Sequence, residues 1–121
     1  MRFTPIRMTL AAAAALAVSG PTWADGDAGK GKTVFALCAA CHVPSGGIGP
    51  SLVGTFGKKA GSVPGFNYSK AMVASGLTWD DATLEAFLAD PGKTVAGTSM
   101  PINVPSPQDR QDVIAYLKTL K

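Results

Sequence analysis

The chain has 121 residues with 11 Lys plus Arg against 8 Asp plus Glu, a formal net charge of +3, and only two cysteines and one histidine. That length suits one small domain and excludes two full-sized ones. The modest charge, with no basic stripe, excludes the electrostatic footprint of a nucleic-acid binder.

The first element lies ahead of the domain. Arg2 and Arg7 precede an unbroken apolar run over residues 10–18, and Thr22-Trp23-Ala24 supplies a small-x-small cleavage site. Nine residues are far short of the roughly 20 needed to span a bilayer. Ser19-Gly20-Pro21 also stops the run, which argues against an ordinary buried helix. The segment therefore reads as a secretory signal peptide over residues 1–24, leaving a mature domain of residues 25–121 with no membrane anchor. Loss of Arg2 and Arg7 leaves nine basic against eight acidic side chains, a net of +1, so the whole-chain pI of about 9.0 overstates the mature protein's basicity. Export to the periplasm puts the two cysteines in an oxidising compartment.

The first helix of the domain is expected from about Asp27 into Cys38-Ala39-Ala40-Cys41-His42, with Val34, Leu37 and Cys38 on one face. Cys-x-x-Cys-His is the spacing for covalent haem attachment. Residues 38 and 41 are three apart on one helical face, so both thiols can reach the two vinyl groups along one porphyrin edge. His42 follows with an imidazole for the iron. A redox-active dithiol or a zinc site competes for the cysteine pair. A structural zinc site wants four Cys or His ligands where this chain offers three, and the strand-helix alternation of a thioredoxin-like fold is absent. A haem also supplies the apolar centre that a domain of fewer than 100 residues has difficulty building from side chains.

Residues 45–50 and 54–65 are too rich in Gly and Pro for regular structure. Gly49 and Gly54 have the spacing of a phosphate loop, but Thr55-Phe56 follows where Lys-Ser or Lys-Thr is required. A minor helical turn is expected across residues 69–74. The second main helix is expected to begin at Thr78, capped by its hydroxyl with Asp81 three residues on. It carries Leu84, Phe87 and Leu88 until Asp90-Pro91-Gly92 ends it. Ser106-Pro107-Gln108-Asp109 announces the third, with a stripe of Val113, Leu117 and Leu120 supported by Ile114 and Tyr116. No alternation is long enough to build a sheet, so the expected fold is all-α, with three main helices and long loops around one haem.

The iron's sixth ligand has four candidate sources: methionine, lysine, water or an exogenous molecule. Met1 and Met8 leave with the signal, and Met72 on its helical turn reads as packing. Met100, in Ala96-Gly97-Thr98-Ser99-Met100-Pro101, follows His42 by 58 residues in a loop that can approach the haem from the opposite side.

With these motifs in place, the chain resembles a class I cytochrome c, the small soluble mono-haem kind close to the mitochondrial type and its bacterial relatives. The matching residues are Gly29-Lys30-Gly31, Cys38 through His42, Gly49-Pro50-Ser51-Leu52, Gly65-Phe66-Asn67-Tyr68-Ser69, Gly76-Leu77-Thr78-Trp79, residues 84–91, Gly97-Thr98-Ser99-Met100 and Ile114-Ala115-Tyr116-Leu117. They span essentially the whole mature chain in the family's order. The resemblance implies that Cys38 and Cys41 form thioethers to one haem c, that His42 and Met100 are the proximal and distal ligands, and that the Pro50 carbonyl accepts the other His42 ring N–H. It also implies that Tyr68, Trp79 and Thr98 hydrogen-bond the haem propionates. Lys58 stands where an arginine commonly pairs with a propionate, which puts bidentate pairing in doubt. Phe87 replaces a tyrosine of many relatives, and loss of that hydroxyl near the methionine sulfur is expected to lower the potential. Ser99 replaces a lysine, so the family's ring of lysines is thin, with Lys32 and Lys93 as remaining contributors. Lys93 is also placed to displace methionine at high pH.

The function expected from this is one-electron transfer by a soluble periplasmic carrier, monomeric and not an enzyme, serving a respiratory or other electron-transport chain. Its donor and acceptor are expected to be membrane or periplasmic redox proteins that dock transiently at the haem edge. A dedicated subunit of one oxidoreductase complex is the alternative, ahead of a haem enzyme or sensor with an open distal site.

Overall fold

The computed structural model describes residues 11–12 and 26–121, so the expected signal segment, apart from Ala11 and Ala12, lies outside the described residues. Five helices occur among the described residues: α1 (Ala28–Ala39), α2 (Lys70–Ala74), α3 (Asp81–Ala89), α4 (Pro91–Thr94) and α5 (Pro107–Leu117). Outside them, the one extended pairing described is an isolated antiparallel bridge between Lys59 and Thr78. The all-α expectation holds. Among the described residues, no helix is long and apolar enough to cross a membrane.

Each helix start has a chemical cause. Asp27 caps α1 by accepting the Lys30 N–H at 3.0 Å. Ser69 caps α2, confirming the expected minor turn, and Ser106 caps α5 with Pro107 just inside it. The start of α3 corrects the sequence reading, which gave the cap to Thr78. Asp80 is the cap: its carboxylate accepts the Thr83 N–H at 2.8 Å, and the Thr83 hydroxyl oxygen returns by accepting the Asp80 N–H at 3.0 Å. The Thr83 N–H, followed by the Thr83 hydroxyl, holds the Asp80 carboxyl below the usual carboxylate range. Thr78 is instead drawn into the bridge with Lys59, and its carbonyl accepts from the Thr83 hydroxyl. At the other end of α3, Asp90-Pro91 does more than stop the helix. Asp90 caps the next one by accepting the Lys93 N–H at 3.1 Å, with Pro91 at its first position, so a fourth short helix follows that the sequence reading missed.

The crossing of α1 over α5 is the central packing event. Gly31 is buried against α5, where a Cβ would lie 1.9 Å from the Asp112 carbonyl oxygen. Only a glycine permits this approach, which explains a residue that costs about 1 kcal/mol of helix propensity. The Asp27 N–H donates to the Asp112 carboxylate at 2.9 Å across the same crossing, and Phe35 packs on Tyr116 with ring centroids 5.1 Å apart. Leu84 and Leu88 of α3 meet Val113, Ile114 and Leu117 of α5 and Val104 of the intervening loop, forming the buried cluster. Leu120, expected on the α5 stripe, lies past the helix end and is only partly buried. Val34, Phe35, Leu52, Phe56, Trp79 and Met100 pack around this cluster, so one side of the core faces the loops that carry the site.

Candidate functional site

The last turn of α1 delivers the cysteines. Cys38 lies within the helix, and its carbonyl accepts both the Cys41 N–H at 3.1 Å and the His42 N–H at 2.9 Å, so the helical turn continues through the motif. Both thiols are free and half-buried. Burial, and secondarily the neighbouring Cys41, push the Cys38 thiol up from its ordinary value. A raised thiol stays protonated at neutral pH, the reverse of the depressed thiolate that a redox-active dithiol uses.

His42 is oriented by the next loop. Its Nδ1 lies 2.8 Å from the Pro50 carbonyl oxygen, and since a carbonyl can only accept, Nδ1 carries the proton. Nε2 is then the nitrogen with a free lone pair. Gly49 makes room for the ring: a Cβ there would lie 2.5 Å from His42 Cε1 and 2.6 Å from Nδ1.

Cys38, Cys41, His42, Pro50, Tyr68, Trp79, Thr98 and Met100, the eight residues singled out from the sequence, all line a single cavity of about 550 Å³. Residues from α1, both glycine-rich loops, α2, α3, the Met100 loop and α5 contribute to its wall. The Tyr68 hydroxyl accepts the Val63 N–H at 3.0 Å, and the Thr98 hydroxyl accepts the Met100 N–H at 3.3 Å. Each of these hydroxyls keeps its own proton to donate. Trp79 is held on a strap: its N–H donates to the Lys58 carbonyl at 2.9 Å and its carbonyl accepts from Gly57 at 2.7 Å. Its ring leans on Phe87 with centroids 5.0 Å apart. Met72, read from the sequence as packing, also lines the cavity, from α2.

Two contributors escaped the sequence reading. Phe35 lines the cavity and carries its wall onto Tyr116, although its aromatic character one residue after Val34 was the available signal. Lys59 lines it next to Lys58, and among the described residues these two, His42, the cysteines and Tyr68 are the ionisable lining residues.

These residues fit a haem. The volume falls within the roughly 300–1,000 Å³ of small-molecule and cofactor sites, and the wall is mostly apolar. Two free thiols lie three residues apart beside an imidazole of fixed tautomer, the thioethers of Met72 and Met100 lie elsewhere on the wall, and among the described residues no Asp or Glu lines the cavity to oppose two propionates. Such a donor set can hold a covalently attached macrocycle with one nitrogen and one sulfur ligand.

Comparison with known proteins agrees with this geometry. The cytochrome c family model matches residues 28–121. The chain is 50% identical over 111 residues to cytochrome c2 of Rhodomicrobium vannielii, covering 88% of this chain and 89% of that protein. It is similar in structure to cytochrome cH from Methylobacterium extorquens, with a TM-score of 0.75 and 48% identity over 78% of this chain and 99% of the other. Cytochrome c2 from Rhodospirillum centenum gives a TM-score of 0.75 at 36% identity, with 79% and 99% coverage.

Proposed function

The chain belongs to the cytochrome c family and is an electron-transfer protein with one covalently bound haem c; from that premise we propose that it is a diffusible one-electron carrier of the periplasm, with Cys38 and Cys41 bonded to the haem and His42 and Met100 as its axial ligands. When bound, the haem supplies an iron that cycles between Fe(III) and Fe(II).

The observation that carries this reading is the pairing, on one apolar cavity, of an imidazole with a fixed tautomer and a methionine thioether. If both held the haem iron, His42 and Met100 would leave no open site for substrate chemistry, which favours a carrier over a haem enzyme or sensor. Neutral sulfur and nitrogen ligands in this apolar wall would disfavour the extra positive charge of ferric iron and so would raise the potential. His42 is held in place by Pro50, Met100 by its packing against the core cluster, and Tyr68, Trp79 and Thr98 are disposed to donate to propionates, with Lys58 and Lys59 supplying positive charge beside them.

Export and cleavage after Ala24 are supported by the amino-terminal pattern of Arg2, Arg7, the apolar run and Thr22-Trp23-Ala24. Donor and acceptor are redox proteins of the membrane or periplasm that meet the haem edge transiently. There the cavity is rimmed by Leu37, Ile48 and Ile102, which are 70%, 84% and 48% exposed.

The test is a spectrum of the purified holoprotein. Low-spin six-coordinate iron in both oxidation states, with a thioether-to-iron charge-transfer band in the ferric form and no CO binding in the ferrous form, is expected. High-spin iron that binds CO readily would overturn the reading in favour of an open-site enzyme or sensor.

A further inference from the structure

We infer that Arg110, oriented by Glu85, is a positioning residue for Met100: it clasps the outgoing end of the Met100 loop and sets how often that loop detaches. The inference rests on the reading of Met100 as the sixth ligand.

The loop between α4 and α5 is fixed at its ends and not in its middle. At the incoming end the Val95 N–H donates to the Pro91 carbonyl at 2.9 Å, the Thr98 N–H to Val95 at 3.0 Å and the Met100 N–H to the Thr98 hydroxyl at 3.3 Å. Pro101, Ile102 and Asn103 are then exposed, and the contact described for them is a long 3.5 Å bond from Asn103 Nδ2 to the Ala89 carbonyl. At the outgoing end the chain is caught again. The Val104 N–H donates to the Leu88 carbonyl at 2.7 Å, and Arg110 Nη1 donates to the Val104 carbonyl at 2.8 Å and the Pro105 carbonyl at 3.0 Å.

Glu85 aims the guanidinium. One carboxylate oxygen receives Arg110 Nε at 2.5 Å and the other receives Gln111 Nε2 at 2.8 Å, so α3 and α5 together fix the fork. The Arg110 side chain is only 11% exposed, which separates this pair from solvent-screened surface ion pairs. An ion pair that served only to pack α3 on α5 has no need of the second edge of the guanidinium. Here that edge is spent on two loop carbonyls, with charge-assisted bonds roughly twice as strong as neutral ones. A segment with few internal bonds opens locally at a rate set by its anchors, and this anchor stands four residues beyond Met100.

The experiment uses ferric holoprotein and imidazole as the competing ligand, at concentrations where the observed rate is that of methionine release. Arg110→Met is expected to exchange roughly tenfold faster than wild type or more, the scale set by losing charged donors to two carbonyls. Amide hydrogen exchange at Thr98, Met100 and Val104, whose N–H groups are bonded at the two ends of the loop, should accelerate in parallel, with a smaller change in α1. Arg110→Lys keeps a charge beside Glu85 but lacks the planar fork, so an intermediate acceleration is expected, and this variant carries the test if Arg110→Met does not fold. Wild-type exchange rates in both variants, or equal acceleration of the loop and α1 amides, would overturn the clasp and leave Arg110 a merely structural residue. Wild-type protein that binds imidazole as fast as Met100→Ala would overturn the ligand assignment, and the clasp with it.

Discussion

The Pro50 carbonyl oxygen lies 2.8 Å from His42 Nδ1, and the residue before that proline, Gly49, leaves the space into which the imidazole turns. The carbonyl settles the tautomer and the missing side chain settles the ring's position, so a two-residue stretch determines which ring nitrogen keeps a free lone pair. Gly49→Ala would place a Cβ 2.5 Å from the ring. We expect a loss of about 1–3 kcal/mol in holoprotein stability from overpacking, with a high-spin fraction in the ferric spectrum as the ring tilts. Denaturant unfolding and absorption spectroscopy check both, and an unchanged spectrum would refute the role given to Gly49.

Met100 has a double duty, as candidate ligand and as part of the packing around the core cluster. Met100→Ala is therefore expected to cost about 2 kcal/mol, the low end of Met-to-Ala truncations because the side chain is only half-buried. Ligand loss adds its own signature: CO binding by the ferrous protein and a fall in potential that is a substantial share of the roughly 0.8 V that axial ligands span. Met72→Ala lines the same cavity and separates the two roles. If Met72→Ala opens the iron and Met100→Ala does not, the assignment is reversed.

Much of this was legible in the sequence because it is local. The sequence spacing puts Cys38, Cys41 and His42 on one turn, and the Ser106 cap follows from a hydroxyl ahead of a proline and an apolar period. What was misread depends on contacts distant in sequence. Thr78 looked like the cap, but its backbone pairs with Lys59, 19 residues away, and the helix starts later, at the Asp80 cap. Asp112 gave no sign of its role, because its partner is the N–H of Asp27, on the far side of the α1 crossing. The grouping of the eight site residues on one cavity was inferred from resemblance, since spacing alone cannot bring Tyr68, Trp79 and Met100 together.

Gly31 tests the α1 crossing directly. Gly31→Ala gains about 1 kcal/mol of helix propensity but drives a Cβ to 1.9 Å from a backbone oxygen, which cannot move without shifting α5. A net loss of about 1–3 kcal/mol is expected as the helices part. Thermal or urea unfolding of the holoprotein decides between the two effects, and a stabilised variant would mean that the crossing relaxes freely.

Asp112 is a buried carboxylate, 3% exposed, that accepts the Asp27 N–H at 2.9 Å and Gln108 Nε2 at 3.0 Å. The Asp27 N–H first, then Gln108 and the charge of Lys30, hold it below the usual carboxylate range against the opposing effect of burial. Because the folded value is depressed, its contribution is fully present above the unfolded value of about 3.9 and is lost as pH falls through the folded one. Asp112→Asn keeps an acceptor but removes the charge, so wild type should be more stable by about 1 kcal/mol at pH 7. That gap should close in acid below pH 4. Urea unfolding of both proteins at neutral and acid pH measures it, and a gap that persists unchanged in acid would exclude the charge as its source.

The exposed rim of the cavity is apolar where Leu37, Ile48 and Ile102 stand, and the charged residues on its wall are Lys58 and Lys59. Two other basic residues are engaged elsewhere, since Lys118 pairs with Asp81 at 2.8 Å and lies over Phe56, and Arg110 pairs with Glu85. Docking that is steered by a broad ring of charge slows steeply as salt shortens the Debye length from about 30 Å at 0.01 M to about 10 Å at 0.1 M. Among the described residues, Lys58 and Lys59 are the charged side chains on the cavity wall, too few to build such a ring by themselves. We therefore expect the bimolecular electron-transfer rate with a redox partner to fall less than tenfold across that range, and Ile48→Lys to make the dependence steeper. Stopped-flow rates at the two ionic strengths provide the check. A fall of a hundredfold or more in the wild-type protein would mean that distant lysines, Lys32 and Lys93 among them, steer docking after all.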